Sequence, residues 1–311
     1  HSVYRDPIQG SYKGYDLVSM GPPSSGGTLL INMFNQLSLF ALDTMGWNSS
    51  QYIHYLTEVE RRAYADRAEH MGDPDYWDVP VQFLTDTAYA KETVQTIMPN
   101  RASLSSDIQA GNPWPYESRE TTHYSVVDKD GNAVSVTTTL NTSYGCGILV
   151  DGAGFFLNNE MDDFSSKPGV PNIYGLVGKE ANAIQPGKRP LSSMTPTIVL
   201  KQNKPFMIIG SPGGSTIITT TLQTILNVVL HEMDIKEAVS APRVHSQWLP
   251  DIIMTEPRGV SRDVKRNLKA MGHVVMPYKW GHIGEANGIL IREDGFYGGG
   301  DSRGETSAAG Y

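Results

Sequence analysis

Residues 121–132 read Thr-Thr-His-Tyr-Ser-Val-Val-Asp-Lys-Asp-Gly-Asn, and residues 115–120 directly before them read Pro-Tyr-Glu-Ser-Arg-Glu. The earlier stretch has the polar composition of a linker, whereas the later one alternates like a strand and ends in a turn. A linker that runs straight into a strand beginning with threonine indicates a self-cleaving enzyme. Cleavage between Glu120 and Thr121 would give Thr121 a hydroxyl nucleophile and, as its base, a free α-amine with a pKa of about 8. β-Branched threonines also favour strands for purely structural reasons. The other segments must therefore decide between a catalytic and a structural role for Thr121.

Composition limits the classes of function. With 311 residues the chain can form one large or two ordinary domains around a sizeable core. Its net charge of -8 and its lack of long Lys/Arg clusters argue against nucleic acid or an anionic membrane surface as partner. A single cysteine, Cys146, excludes an internal disulfide and a cysteine metal cage. Small molecules are therefore the expected ligands.

Hydrophobic periodicity divides the chain into a helical first part and a strand-rich second part. Up to about residue 100 the pattern predicts helices over 28–42, 50–70 and 80–98. The period then changes to two and predicts a hairpin from 124 to 140. Further predicted elements are strands at 154–157, 195–200 and 205–209, helices at 216–231, 235–240 and 261–270, and a closing hairpin at 288–297. Strands flanked by apolar helices predict stacked sheets covered by helices.

A glycine-rich turn, Gly-Ser-Pro-Gly-Gly-Ser at 210–215, lies between an apolar strand and an apolar helix. Such a turn can direct several backbone N–H groups at one point, as oxyanion holes and phosphate-binding loops do. It lacks the Gly-Lys-Ser/Thr ending of a nucleotide-binding loop. Both an oxyanion hole and a purely structural turn fit these residues.

Two polar runs could bind opposite charges on a ligand. Residues 158–164 read Asn-Asn-Glu-Met-Asp-Asp-Phe, which fits either a solvated turn or a socket for an ammonium group. Their spacing is not that of an EF-hand. Residues 190–196 read Pro-Leu-Ser-Ser-Met-Thr-Pro, and the two serine hydroxyls could cap the backbone or donate to a carboxylate.

Other enzyme classes lack their motifs in this chain. There is no Gly-x-Ser-x-Gly elbow, and His231-Glu232 is not followed by the second histidine of a zinc protease. We expect neither a metal nor an organic cofactor.

Taken in order, these segments resemble the γ-glutamyltranspeptidase family over essentially the whole chain. The matching motifs lie at residues 22–27, 64–67, 121–128, 139–142, 158–164, 189–194, 210–215 and 309–311. Several long motifs in the same order are far more specific than any one of them.

The resemblance implies an α+β, N-terminal-nucleophile hydrolase fold, which is a four-layer αββα sandwich. Members of the family are made as a precursor that cleaves itself into two subunits. Residues 1–120 would be the mostly helical C-terminal part of the large subunit, and residues 121–311 the small subunit. We expect the chain to be part of a longer polypeptide, because it starts at His1 inside a turn-rich segment. The family implies a periplasmic or secreted location, with any signal region upstream of this chain.

The resemblance also implies catalytic roles for single residues. Thr121 would be the nucleophile released by cleavage after Glu120. Thr139 would bind and orient it, and the backbone N–H groups of Gly213 and Gly214 would form the oxyanion hole.

Further residues would bind the substrate by the same resemblance. The α-ammonium would contact Asn141, Glu160 and Asp163, and the α-carboxylate would contact Ser192 and Ser193. Tyr174 matches a tyrosine of a lid over the site in some members. Position 160 is glutamate where some bacterial members have glutamine, which changes the charge at the ammonium site. A family arginine that clamps the carboxylate lies far upstream, outside this chain.

The implied function is a self-processing γ-glutamyltransferase/hydrolase that cleaves γ-glutamyl amides such as glutathione. The acyl group would pass through an ester on Thr121 to water, an amino acid or a peptide. Two alternatives remain, a related acylase of the cephalosporin acylase kind and a catalytically silent homologue that serves as a binding module. The intact ammonium and carboxylate motifs argue against the acylase, and the intact Thr121, Thr139 and Gly213-Gly214 set argues against the silent homologue.

Overall fold

A computed structural model describes residues 2–108, 121–170, 172, 175–279 and 281–310. The helices are α1 (Gly26–Leu37), α2 (Ser50–His70), α3 (Val81–Leu84), α4 (Thr87–Val94), α5 (Thr216–Val229), α6 (Ile235–Ser240) and α7 (Arg262–Ala270). The strands are β1 (Ile8–Tyr12), β2 (Tyr15–Ser19), β3 (Thr122–Val127), β4 (Ala133–Thr138), β5 (Thr197–Lys201), β6 (Lys204–Gly210), β7 (Val244–His245), β8 (Ile253–Thr255), β9 (Val275–Pro277), β10 (Asn287–Arg292) and β11 (Gly295–Gly300). Among these residues, no helix has the length and apolar character needed to span a bilayer.

Most of the strands belong to one six-stranded sheet in the order β1-β2-β5-β6-β10-β11. Every neighbouring pair in it is antiparallel. Short turns join β1 to β2, β5 to β6 and β10 to β11, and each of these pairs is a hairpin. Strands β7, β8 and β9 form a small separate sheet. The main sheet thus combines strands from both ends of the chain.

The β3–β4 hairpin packs against the main sheet at β6 and β10. Its register pairs Thr122 with Thr138. The close approach requires glycine at 210, because a Cβ on Gly210 would overlap the imidazole ring of His123. Ile209 is next to Gly210 but lies in the main hydrophobic core, since successive strand residues face opposite sides of a sheet. The main sheet therefore lies between the β3–β4 hairpin and a layer of helices.

Helices α1 and α5 form the inner part of that helical layer. Phe34 of α1 and Leu222 of α5 are fully buried in one cluster with Val199 of β5. Helix α2 packs against α1, and its first turn is capped by Ser49, whose hydroxyl accepts the Tyr52 N–H at 3.2 Å. These apolar faces bury the helices and place α2 beside the loops that lead into β5 and α5.

The sequence predicted most of these elements. Confirmed elements include the helices over 50–70, 216–231, 235–240 and 261–270, the strands at 195–200 and 205–209, and the hairpins at 124–140 and 288–297. The predicted helical region 80–98 is two short helices, because Asp86 caps α4 and restarts the helix. The predicted strand at 154–157 is wrong, since only Phe156 makes an isolated bridge there, with Leu149. The β1–β2 hairpin was not predicted, because Gly10, Lys13 and Gly14 give that stretch the composition of turns.

Candidate active site

A small cavity lies where the β3–β4 hairpin meets the loop between β6 and α5. Its lining contains seven residues that the sequence predicted to be functional: Thr121, Thr139, Asn141, Asp163, Ser192, Ser193 and Gly214. The other lining residues are Arg67, Leu176, Leu191, Met194 and Ile217. The fold thus brings together seven predicted residues from five separate segments of the chain.

The register of β3–β4 sets the predicted nucleophile beside its predicted partner. Thr121 directly precedes β3 and Thr139 directly follows β4, so the Thr122–Thr138 pair places them opposite each other. The Thr121 hydroxyl donates to the Thr139 hydroxyl at 3.3 Å. Thr139 Oγ1 also accepts the Asn141 backbone N–H at 2.8 Å. These two bonds hold the Thr121 hydroxyl at the wall of the cavity.

Gly213 and Gly214 lie in the loop that leads into α5. Their φ angles of +132° and +55° belong to a region that glycine adopts without strain from a Cβ. The Gly213 carbonyl accepts the Thr216 N–H at 3.0 Å and fixes the loop to the first turn of α5. Within the described ranges, neither glycine N–H donates to another protein atom. Gly214 lines the cavity and Gly213 does not, but both lie at a helix N-terminus, where negative charge is stabilised.

The acidic run folds into a short helical turn whose last residue, Asp163, reaches the cavity. Burial raises the pKa of the Asp163 carboxyl to about 7; Arg67 opposes this shift, and Glu160 and Asp162 add to it. Burial also raises the pKa of Glu160, which lies in the same turn but does not line the cavity. A carboxyl of this kind takes up its full charge when a cation binds beside it.

Asn141 connects the end of β4 to the acidic turn. Its side-chain amide donates to the Asn159 carbonyl at 3.0 Å, and the Asn159 N–H donates to the Leu140 carbonyl at 3.1 Å. Asn141 is 2% exposed and has a φ of +76°, a left-handed conformation that asparagine adopts more readily than most residues. These contacts hold the acidic turn next to the end of the β3–β4 hairpin.

Ser192 and Ser193 also line the cavity. The Ser192 hydroxyl accepts the Met194 N–H at 3.0 Å, and the Ser193 hydroxyl accepts from Arg67 Nη2 at 3.2 Å. An amide N–H and a guanidinium can only donate, so each serine oxygen is an acceptor in these bonds and retains its own proton for another partner. The two protons suit a ligand carboxylate.

Arg67 is a part of the site that the sequence did not assign. It entered the sequence argument only as the last residue of the motif at 64–67. Its side chain is buried on α2, and Nε donates to Ser25 Oγ at 2.9 Å. Burial lowers the pKa of Arg67 to about 10, and Tyr64 and Asp163 oppose the shift. The sequence feature that could have identified Arg67 is an arginine on the buried face of a predicted helix.

Two predicted residues lie outside the described part of the chain. Glu120 precedes the predicted cleavage point, and Tyr174 is the predicted lid residue. Their roles stay predictions.

One group of buried side chains in the described ranges has ligand atoms close enough for a metal ion, namely His54, Glu58 and His273. None of the three lines the cavity. His54 Nδ1 and His273 Nε2 are hydrogen-bonded to each other at 2.7 Å, and the Glu58 carboxylate pairs with Arg61 and Arg62. Two neighbouring guanidinium groups and occupied ligand atoms disfavour a metal ion there.

Comparison with known proteins gives matches along the whole chain. The model of the gamma-glutamyltranspeptidase family matches residues 1–311. Glutathione hydrolase proenzyme of Escherichia coli (strain K12) is 50% identical over 303 residues, which cover 97% of this chain and 52% of that protein. Acylase ACY 1 proenzyme of Pseudomonas sp. (strain SE83) is 36% identical over 273 residues, covering 88% of this chain and 46% of that protein. The chain spans about half the length of these curated relatives.

Solved structures of similar proteins establish the fold. A mutant γ-glutamyltranspeptidase of Helicobacter pylori is 59% identical, with a TM-score of 0.57 over 59% of this chain and 100% of that chain. Cephalosporin acylase of Bacillus halodurans, at 23% identity, has the same fold with a TM-score of 0.79 over 98% of this chain and 53% of that chain. The predicted α+β, N-terminal-nucleophile hydrolase fold, a four-layer αββα sandwich, is confirmed.

Proposed function

Because the chain belongs to the γ-glutamyltranspeptidase family, we propose that it carries the active site of a γ-glutamyltransferase/hydrolase acting on γ-glutamyl amides such as glutathione. One observation supports the proposal: Asp163, Ser192 and Ser193 line the same cavity as Thr121. A γ-glutamyl group has an ammonium and a carboxylate on the same carbon, so its binding site needs an acid and a set of donors close together.

Thr121 is the proposed nucleophile. Its α-amine, once freed from the preceding residue, takes the hydroxyl proton while the hydroxyl oxygen attacks the γ-carbonyl carbon. The resulting oxyanion accepts hydrogen bonds from the N–H groups of Gly213 and Gly214. The ammonium formed on Thr121 then gives its proton to the leaving amine, and a γ-glutamyl ester remains on the hydroxyl oxygen. Water, an amino acid or a peptide attacks this ester and restores the free threonine.

The remaining site residues orient the nucleophile and the donor. Thr139 holds the Thr121 hydroxyl in position through the bond at 3.3 Å. The α-ammonium lies at Asn141, Glu160 and Asp163, and the α-carboxylate accepts from Ser192 and Ser193. A γ-linked acyl chain anchored at both charges presents its γ-carbonyl to Thr121, which lowers the entropy cost of attack.

The same hydroxyl is proposed to process the precursor. It attacks the Glu120 carbonyl and shifts the chain to an ester, which water hydrolyses into a large subunit ending with residues 1–120 and a small subunit of residues 121–311. Tyr174 is proposed as the lid residue, and an arginine of the upstream region as a further carboxylate ligand. Periplasmic or secreted glutathione metabolism is the proposed setting, without metal or organic cofactor.

A related acylase activity is the second candidate, because Acylase ACY 1 proenzyme is 36% identical to this chain. Such an enzyme needs the nucleophile and oxyanion hole but no socket for an α-ammonium. Asp163 in the cavity, with its raised pKa, favours the γ-glutamyl donor. A catalytically silent binding module would not require the hydrogen bond that positions the Thr121 hydroxyl at Thr139.

A γ-glutamyl p-nitroanilide assay on the full-length protein tests the proposal. Wild type should release nitroaniline and run as two subunits on a denaturing gel. Thr121→Ala should stay uncleaved and inactive, whereas Thr121→Ser keeps a hydroxyl and should still cleave itself. Two subunits from Thr121→Ala would show that another residue is the nucleophile.

A further inference from the structure

We propose that Arg67 is the positioning residue of the carboxylate side of the site, where its guanidinium makes the Ser193 hydroxyl a hydrogen-bond donor to the substrate. The inference rests on the proposed function, because it concerns the same substrate carboxylate. Arg67 is 4% exposed, lies on α2 and lines the cavity together with Thr121.

The direction of one hydrogen bond carries the argument. A free serine hydroxyl can rotate and act as donor or acceptor, so by itself it does not distinguish a carboxylate from an amide. Arg67 Nη2 can only donate, and it donates to Ser193 Oγ at 3.2 Å. Ser193 must therefore use a lone pair for Arg67, and its proton is left for an acceptor in the cavity. A charged donor on the oxygen also polarises the hydroxyl and strengthens its donation.

A second contact of the same guanidinium positions the neighbouring serine. Arg67 Nε donates to Ser25 Oγ at 2.9 Å, and the Ser25 hydroxyl donates onward to the Ser192 carbonyl at 2.8 Å. The Ser25 backbone N–H donates to that carbonyl as well, at 2.9 Å. The Arg67 guanidinium thus contacts the Ser193 hydroxyl directly and the Ser192 backbone through Ser25, and so fixes the position of both serines. A lysine has a single nitrogen and cannot reproduce this two-branched contact.

The charge of Arg67 points to an anionic ligand. Among the described residues, no carboxylate lies within ion-pair distance of its nitrogens, whereas the buried Arg61, Arg62 and Arg243 all have such a partner. Asp163 interacts with Arg67 electrostatically but forms no ion pair with it, and burial raises the pKa of that carboxyl to about 7, so it offsets the charge of Arg67 only in part. A buried cation whose charge is only partly offset favours the binding of an anion nearby. The substrate carboxylate, bound through Ser193, would supply that negative charge.

Comparing two donors in the full-length enzyme tests this role. Arg67→Lys should raise KM for γ-glutamyl p-nitroanilide by about tenfold to a hundredfold with a smaller change in kcat, because a polarised donor to the carboxylate is lost. With 4-aminobutyryl p-nitroanilide, which lacks the α-carboxylate, Arg67→Lys and wild type should have equal KM. Arg62→Lys is the matched control, a buried arginine of the same helix outside the cavity, and should leave both KM values unchanged.

Three outcomes decide the inference. In a double variant, Arg67→Lys should add little to the defect of Ser193→Ala, because both remove the same donor; multiplying defects would overturn the role. An equal loss with both donors would also overturn it. If Arg67→Lys is not processed, Ser25→Ala makes the same comparison with the guanidinium intact, and a defect independent of the carboxylate refutes the proposal. Failure of wild type to use γ-glutamyl p-nitroanilide would instead refute the proposed function.

Discussion

Replacing Asp163 by asparagine removes the charge from the proposed ammonium site and keeps the side-chain size. In the described part of the chain the Asp163 side chain accepts no hydrogen bond, so the change breaks none. Removing one partner of a desolvated charge pair costs about 2 to 5 kcal/mol, which corresponds to a fall in kcat/KM of about 30-fold to 5000-fold. Because the pKa of Asp163 is about 7, about half of the free enzyme carries this charge at pH 7. Partial protonation therefore reduces the wild-type kcat/KM only about twofold.

The pH dependence gives a second measure of the same group. Because the pKa of Asp163 is about 7, the charged fraction falls about fivefold between pH 7 and pH 6, and wild-type kcat/KM should fall with it. The Asp163→Asn enzyme lacks the pH dependence due to this carboxyl, whereas the titration of the Thr121 α-amine is common to both enzymes. The ratio of the two kcat/KM values therefore isolates Asp163.

Initial rates with γ-glutamyl p-nitroanilide from pH 6 to pH 8 give both quantities. The gel pattern must first show that the variant is processed normally. Asp162→Asn is the matched control, because it removes the same charge one residue away and outside the cavity lining; it should change kcat/KM by less than about tenfold. A processed Asp163→Asn enzyme with wild-type kinetics, or a ratio that is constant with pH, would refute the ammonium role.

Three further predictions concern the nucleophile, the packing and the stability. Thr139→Val removes the partner of the Thr121 hydroxyl and should lower kcat about fivefold to tenfold with little change in KM; steady-state kinetics with unchanged kcat would contradict it. Gly210→Ala should lower the free energy of unfolding by about 1 to 3 kcal/mol, because the new Cβ overlaps His123, and a Tm equal to wild type would speak against that packing. Burial lowers the pKa of His54, and it lowers that of His273 to about 3, below the value of about 6.5 in an unfolded chain. The folded state therefore binds fewer protons, and stability is lost as pH falls below about 6.5, by about 2 kcal/mol at pH 5 for His273. The drop in Tm between pH 7.5 and pH 5 should shrink in His273→Gln, and an undiminished drop would refute this.

Features that depend on neighbouring residues were predictable from the sequence. The hairpin from 124 to 140 follows from alternation and an Asp-Gly-Asn turn, and it places Thr121 opposite Thr139 because strand register is a local property. The loop at 210–215 follows from its glycines, since only their backbone reaches the observed φ angles readily. The strand predicted at 154–157 failed because residues 155–157 pair with residues 146–150 through a few backbone hydrogen bonds and a single bridge, which is too short a pairing to form a ladder.

The sequence by itself thus determined the nucleophile candidate, the chemistry of the two polar runs and the strand–loop–helix unit of the proposed oxyanion hole. Only the tertiary structure decided which of these residues share a cavity: Asp163 does, and Glu160 from the same turn does not line it. It also gave Arg67 its contacts with Ser25 and Ser193 and raised the pKa of Asp163. The physical reason is range. Turn and strand propensities act over a few residues, whereas burial and hydrogen-bond direction arise from groups that are 126 positions apart in the chain, as Arg67 and Ser193 are.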